Sequence, residues 1–183
     1  NDNDFIDRAE IIREKGTNRS QFLNGKTDKY TWIDIGSSYL PSDIIAAFLY
    51  AQLEEADTIT AKRKQIFQTY YKGLRSLADS GQIRLPHTPS NIDGNAHMFY
   101  CIMDSHAERT KLIDFLKSKN ITAFFHYVPL HSSPAGKRYG SNRESLQITE
   151  SIASRVLRLP CYYEMTKQDC ENVIAKIEEF FDF

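Results

Sequence analysis

The densest run of side chains able to do chemistry is His126-Tyr127-Val128-Pro129-Leu130-His131. Two imidazoles and a phenol within six residues can donate hydrogen bonds to sugar hydroxyls or a phosphate, or move protons near neutral pH. The run leaves a β-branched and aromatic segment and enters a Pro-stiffened loop, and such strand ends are where sites are usually placed. Each His could instead be satisfied by backbone at a sheet edge. A metal site needs a third ligand at suitable spacing, and no convincing one presents itself. A second candidate is the turn Gly36-Ser37-Ser38-Tyr39-Leu40, which the pattern places directly before a helix N-terminus. Free N–H groups and the helix dipole favour a phosphate there, although many helices start this way and bind nothing.

The elements that must position these residues can be read from periodicity. From Ile45 the apolar residues recur at Leu49, Leu53, Ala56, Ile59, Ile66, Tyr70, Leu74 and Leu77, the rhythm of one helix face, broken only by Arg63. The pattern predicts a single helix of about 35 residues, on the order of 50 Å long, which is more than one small domain needs. Such a helix bridges two packing units, with the boundary near Ala61. Residues 4–15 read as a first helix capped by Asn3 or Asp4, with Phe5, Ala9 and Ile12 on its apolar face and Gly16 as its stop. Residues 16–38 have no clean period and carry Phe22, Leu23, Tyr30, Trp32 and Ile33. An irregular stretch of about 20 residues inside a compact domain usually signals a functional or docking segment, with a surface excursion pinned by aromatics as the alternative.

Beyond the long helix, residues 82–86, 97–103 and 121–127 read as strands. Ser105 to Glu108 and Thr166 to Asp169 read as capping boxes. The first opens a helix with Leu112, Ile113, Phe115 and Leu116 inward and Asn120 as its stop. The second opens a terminal helix with Cys170, Val173, Ile174, Ile177 and Phe180 on one face. A helix over about 144–154 lies between, followed by the segment RLPCYY. The order predicts an α+β layer, with helices packed on one face of a small, mostly antiparallel sheet.

With 23 Lys and Arg against 24 Asp and Glu, the net charge is −1. No bulk electrostatic argument for nucleic acid or an anionic membrane exists. No apolar run approaches the length of a membrane span. Cys101, Cys161 and Cys170 are odd in number and sit in apolar patterns, which fits reduced thiols and a cytoplasmic protein. NDND opens without Met at a helix cap, as a piece of a longer protein would.

Four blocks, EKGTNRSQF, YTWIDIGSSYLPSDIIAAFLYAQLE, NAHMFY and HYVPLH, together resemble the DegT/DnrJ/EryC1/StrS sugar-nucleotide aminotransferases, pyridoxal-phosphate (PLP) enzymes of fold type I. The resemblance implies that residues 1–57 are the tail of the large α/β domain with its interface loop, and 58–183 the small α+β domain, joined by the long helix. It implies a homodimer in which residues 16–38 reach the neighbouring subunit's active site. His126, Tyr127 and His131 would line the mouth of the site, His126 and Tyr127 in contact with substrate and His131 either in contact or directly behind them. Relatives carry an Asn in the 36–40 turn that reaches the cofactor phosphate, followed two residues on by an Arg. The matching positions here are Ser38 and Leu40. Ser38 could still donate to the phosphate, but Leu40 cannot replace a guanidinium. Arg19, with Asn18 beside it, is the candidate to take over that anion-binding duty; both could equally be solvated loop residues.

PLP chemistry needs an amine to hold the cofactor and to shuttle a proton. Relatives place this lysine upstream of the first helix here, so the Schiff-base Lys is expected before Asn1, and no catalytic residue within this chain. Lys29 and Lys64 match no such motif. The implied reaction transfers an amino group from glutamate to a dTDP-4-keto-6-deoxyhexose, with this chain alone inactive. An upstream His would instead indicate the related sugar dehydratases, and a separately folding, non-catalytic substrate-binding or dimerisation module is the further alternative.

Overall fold

Three helices stand where the periodicity predicts one. In the computed structural model, which describes residues 2–140 and 146–182, α3 (Asp43–Glu54) stops at Glu55 and α4 (Ala56–Gly73) begins at the next residue. The cause is the acidic run Glu54, Glu55 and Asp57. Carboxylates are unfavourable at the negative end of a helix dipole and favourable at the positive end, so the run ends one helix and starts another. A second interruption at Leu74 separates α4 from α5 (Arg75–Asp79). The chain divides into two compact units at this first break, Asn1–Glu55 and Ala56–Phe183.

In the first unit, α1 (Ile6–Arg13) is shorter than the predicted 4–15. A 3-10 turn over Asn3–Phe5 precedes it, and Asp2, rather than Asn3 or Asp4, supplies the cap by accepting the Asp4 N–H at 3.0 Å. No α1 side chain is buried, so the predicted apolar face packs no core. The stretch 16–38 is less irregular than expected. It contains α2 (Arg19–Leu23) and is pinned by antiparallel bridges pairing Glu14 with Ser38 and Thr17 with Trp32. Gly16 makes this possible: its φ is +77°, its carbonyl accepts the Ile33 and Asp34 N–H groups, and a Cβ there would collide with the Asp34 carbonyl. α3 is apolar nearly all round and buries none of its side chains.

The second unit is built on a four-stranded antiparallel sheet of β1 (Ile83–Arg84), β2 (Phe99–Met103), β3 (Phe124–Phe125) and β4 (Val156–Leu159), in the order β1-β2-β4-β3. Three strands were expected; β4, inside the VLRLP stretch, is the one not anticipated. It has four residues and follows α8 (Gln147–Arg155) with no turn between them. β3 is shorter than the predicted 121–127. The start expected for α8, near 144, lies outside the described residues. The loop after Pro129 carries a 3-10 turn, Leu130–Ser132, and α7 (Pro134–Tyr139).

The core lies on one face of this sheet. Phe99, Cys101 and Met103 of β2 alternate inward beside Leu157 and Leu159 of β4, under Ile66 and Tyr70 of α4, Leu112 and Leu116 of α6 (His106–Ser118), and Cys170, Val173 and Ile177 of α9 (Lys167–Phe181). The Phe67 and Tyr70 rings lie 4.9 and 5.1 Å from that of Phe99. Tyr70 is fully buried and donates to the Pro160 carbonyl at 3.1 Å; burial pushes its phenol far above the ordinary value. The predicted stop at Asn120 is present, with φ +60°. The first predicted box is only half formed: Ser105 accepts the Glu108 N–H, but the Glu108 carboxylate reaches past it to Asp104 N–H. The Thr166–Asp169 box is complete. Helices were expected on one face alone, yet α8 covers part of the other.

Leu112 is 1% exposed and Leu49 50%. Leu112→Ala should lose roughly 2–5 kcal/mol in urea unfolding, whereas Leu49→Ala should stay within about 0.5 kcal/mol. Hydrogen bonds from Thr166 hold the Asp169 carboxyl below its ordinary 3.8. A depressed folded value means that this stabilisation is complete above the unfolded pKa and is lost as pH falls through the folded one. Asp169→Asn should therefore lower the thermal midpoint near neutral pH, with the difference from wild type closing as pH drops below 3.8.

Candidate functional site

β3 is two residues long, and the chain leaves the sheet immediately after it, which delivers His126 and Tyr127 at the strand's end. Pro129 sets an extended exit into the 3-10 turn. Ser133 then ties the turn to α7, donating to the Leu130 carbonyl at 2.7 Å and accepting the Gly136 N–H at 3.0 Å. A Cβ at Gly136 would strike the Leu130 carbonyl, so this closure requires glycine. At the far end of the strap, His131 Nε2 stands 2.8 Å from Glu150 Oε1 of α8. The approach forms an ion pair when the ring is protonated, although its direction falls outside hydrogen-bond geometry.

The strap, the outward face of β2 and α8 enclose a cavity of about 590 Å³, within the range of small-molecule sites. Tyr100 and Ile102 form its floor, and His126, Tyr127 and Leu130 one wall. His126 Nδ1 is buried with no hydrogen-bond partner, and its ring lies 5.1 Å from that of Tyr127. An unpartnered buried ring nitrogen is available to a ligand. The walls are chiefly apolar, and Arg158 carries their one fixed charge among the described residues. Such a cavity can hold a partly apolar small molecule and orient it by a few hydrogen bonds.

The sequence candidates do not all meet here. His126 and Tyr127 line the cavity; His131 stands outside its walls, anchored to α8. Asn18, Arg19 and Ser38 belong to the first unit. Asn18 is 7% exposed and its carboxamide is committed, donating to the Lys29 carbonyl at 2.9 Å and accepting the Thr31 N–H at 2.8 Å. Arg19 is exposed, 3.9 Å from Glu14. Ser38 is exposed and bridged to Glu14, and the helix that follows is capped by Ser42 instead. Thus the 36–40 turn does not form the helix N-terminus, because Pro41 and Ser42 intervene. Arg158 and Tyr100 are cavity residues that the sequence reading missed. The signal was present in Leu157-Arg158-Leu159, where period-2 alternation sends the Arg to the face opposite the core.

The described walls of this cavity offer no amine to hold a PLP group. Lys64 is ion-paired to Asp93 at 2.6 Å, and no lysine lines the cavity. The thiols are not poised for nucleophilic chemistry either: burial pushes Cys101 up to about 12 and raises Cys161 and Cys170. Among the described residues no cluster of His, Cys, Asp or Glu could hold a metal ion, and no helix is long and apolar enough to cross a membrane.

The profile of the DegT/DnrJ/EryC1/StrS aminotransferase family matches residues 1–178. The dTDP-3-amino-3,4,6-trideoxy-alpha-D-glucose transaminase of Micromonospora megalomicea subsp. nigra is 30% identical over 139 residues, 75% of this chain and 36% of the relative. A pleiotropic regulatory protein of Geobacillus stearothermophilus is 26% identical over 182 residues, 99% of this chain and 45% of the relative. The chain thus spans less than half the length of these curated relatives. Among solved structures, DesV of S. venezuelae in complex with a ketimine intermediate superposes with a TM-score of 0.82 at 26% identity, over 100% of this chain and 45% of that one. The aminotransferase TlmJ of Streptoalloteichus hindustanus shares the fold, with a TM-score of 0.81 at 21% identity over 99% of this chain and 46% of that one.

Since the Asn18 carboxamide closes the loop between residues 18 and 31, Asn18→Ala should cost about 1–3 kcal/mol locally. The expected result is faster proteolytic cleavage within residues 24–31, with cleavage elsewhere unchanged.

Proposed function

The chain belongs to the DegT/DnrJ/EryC1/StrS aminotransferase family, and from that premise we propose that it is the C-terminal portion of a PLP-dependent sugar-nucleotide aminotransferase. The parent enzyme would convert a dTDP-4-keto-6-deoxyhexose to the 4-amino sugar with glutamate as donor, as a dTDP-4-amino-4,6-dideoxygalactose transaminase does. The family match over residues 1–178 carries this reading. Relatives include transaminases of dTDP-3-amino sugars; the C4 assignment rests instead on the sequence blocks around residues 14–22, 30–54, 95–100 and 126–131. When bound in the parent, PLP supplies the electron sink for moving an amino group, and the lysine that holds it lies upstream of Asn1.

This chain's own contribution is substrate positioning. Tyr127 and His126, at the strand end, donate hydrogen bonds to sugar hydroxyls, with the buried Nδ1 of His126 free to take part. His131, tied to Glu150, keeps the strap closed behind them. Largely apolar walls exclude water from the sugar. The exposed aromatics of residues 16–38, including Tyr30 and Trp32, and the apolar α3 supply surface for a homodimer. The setting is cytoplasmic, without nucleic-acid or membrane partners.

The test compares this chain with the natural full-length protein. Only the latter should fix PLP to a lysine on borohydride reduction, and that lysine should map upstream of Asn1. With dTDP-4-keto-6-deoxyglucose and glutamate, the full-length protein should yield a 4-amino product, identified by NMR. His126→Ala should lower kcat/KM about 10- to 100-fold. Reductive fixation within residues 1–183, or a product aminated only at C3, would overturn the corresponding part of the proposal.

A further inference from the structure

Arg158 brings a positive charge to the cavity wall, and no described residue of that wall balances it. Along β4, Leu157 and Leu159 enter the core while Arg158 faces the other side, where the register sets it between Tyr100 and Phe124. Its guanidinium carbon lies 5.6 Å from the centre of the Tyr127 ring, and its Nε is buried without a hydrogen-bond partner. The side chain also reaches a second cavity of about 670 Å³ toward the opposite end of the strands. The described walls of the His126 cavity contain no carboxylate. In the second cavity Asp169 is the one carboxylate among the described residues, and its Oδ2 is taken by the backbone and hydroxyl of Thr166.

A half-buried guanidinium facing an apolar cavity without a counter-charge is unfavourable unless a ligand supplies one. The planar fork of Arg matches carboxylate and phosphate oxygens in pairs, and stacking on an aromatic ring fixes its orientation. We propose that Arg158 is the anion-binding residue of the His126–Tyr127 cavity, holding a ligand oxyanion beside the Tyr127 ring. The inference rests on the amino-transfer reading for its two sources of oxyanion, the carboxylate of the amino-acid donor and the diphosphate of the nucleotide sugar.

The test uses the natural full-length protein and its R158M and R158K variants, with L-glutamate and dTDP titrated separately by calorimetry. R158M keeps the stem and removes the charge, and should weaken one or both ligands about 10- to 100-fold. R158K restores the charge without the fork and should recover part of that loss. Weakened glutamate binding identifies the donor carboxylate as the occupant; weakened dTDP binding identifies the diphosphate. A folded R158M protein whose two dissociation constants both stay within threefold of wild type overturns the inference. If R158M does not fold, R158Q replaces it under the same criterion. An Arg158-dependent anion affinity in a protein that transfers no amino group would sink the proposed function and leave this inference standing. Full amino transfer with unchanged affinities would do the reverse.

Discussion

The pairing of β2 with β4 is the constraint on which the second unit depends. Its register sets Phe99 against Leu159 and Cys101 against Leu157, which builds the floor of the core. The same register sets Tyr100 against Arg158 and Ile102 against Val156, which builds the floor of the cavity. Because side chains alternate with a period of two, a slip of one residue would exchange these faces, placing Arg158 in the core and Leu157 in the cavity. Stability and site geometry are thus specified by one set of backbone hydrogen bonds. The helices act on that arrangement from the two sides. α4, α6 and α9 close the core, while α8 closes the cavity.

Much of this was legible in the sequence, for identifiable reasons. The terminal helix was readable because Thr166 and Asp169 satisfy each other's backbone N–H groups and the apolar residues behind them recur at helical spacing. The stop at Asn120 was readable because a left-handed residue is needed there. β4 was not, since its short alternation runs straight on from a helix with no turn to mark where the strand begins. The single long helix was overcalled because an apolar stripe survives a one-residue interruption, whereas the acidic run that causes the break is a weaker, electrostatic signal. The site was half legible. The 126–131 cluster announced itself by residue type and density; Arg158 did not, since one Arg in a short apolar run looks like a surface residue until the register is known. Asn18 shows the converse: a polar residue in a polar loop whose amide is spent on the backbone of Lys29 and Thr31.

Membership of the aminotransferase family gives these pieces a common purpose without requiring that one chain segment hold all of the chemistry. In the proposed enzyme the second unit contributes shape, apolar walls and a few directed hydrogen bonds. Under that proposal the reactive group and the amine that carries it would come from another stretch of the polypeptide. Such a division explains why the thiols and lysines here are unremarkable while an imidazole nitrogen and a guanidinium lack partners.

The direct junction of α8 to β4 has a mechanical consequence. Arg155 ends the helix and Val156 starts the strand, so no linker can absorb displacement between the cavity's wall and its floor. The helix is clamped lengthwise, since sliding it would drag the strand against β2 and strain the ladder. Compliance is therefore unevenly distributed around the cavity: rigid along the helix and sheet, softer along the Pro129 strap, which is held at its far end by a side-chain contact. Ligands of different bulk would be accommodated by give in the strap, with the sheet serving as the fixed datum from which their position is measured.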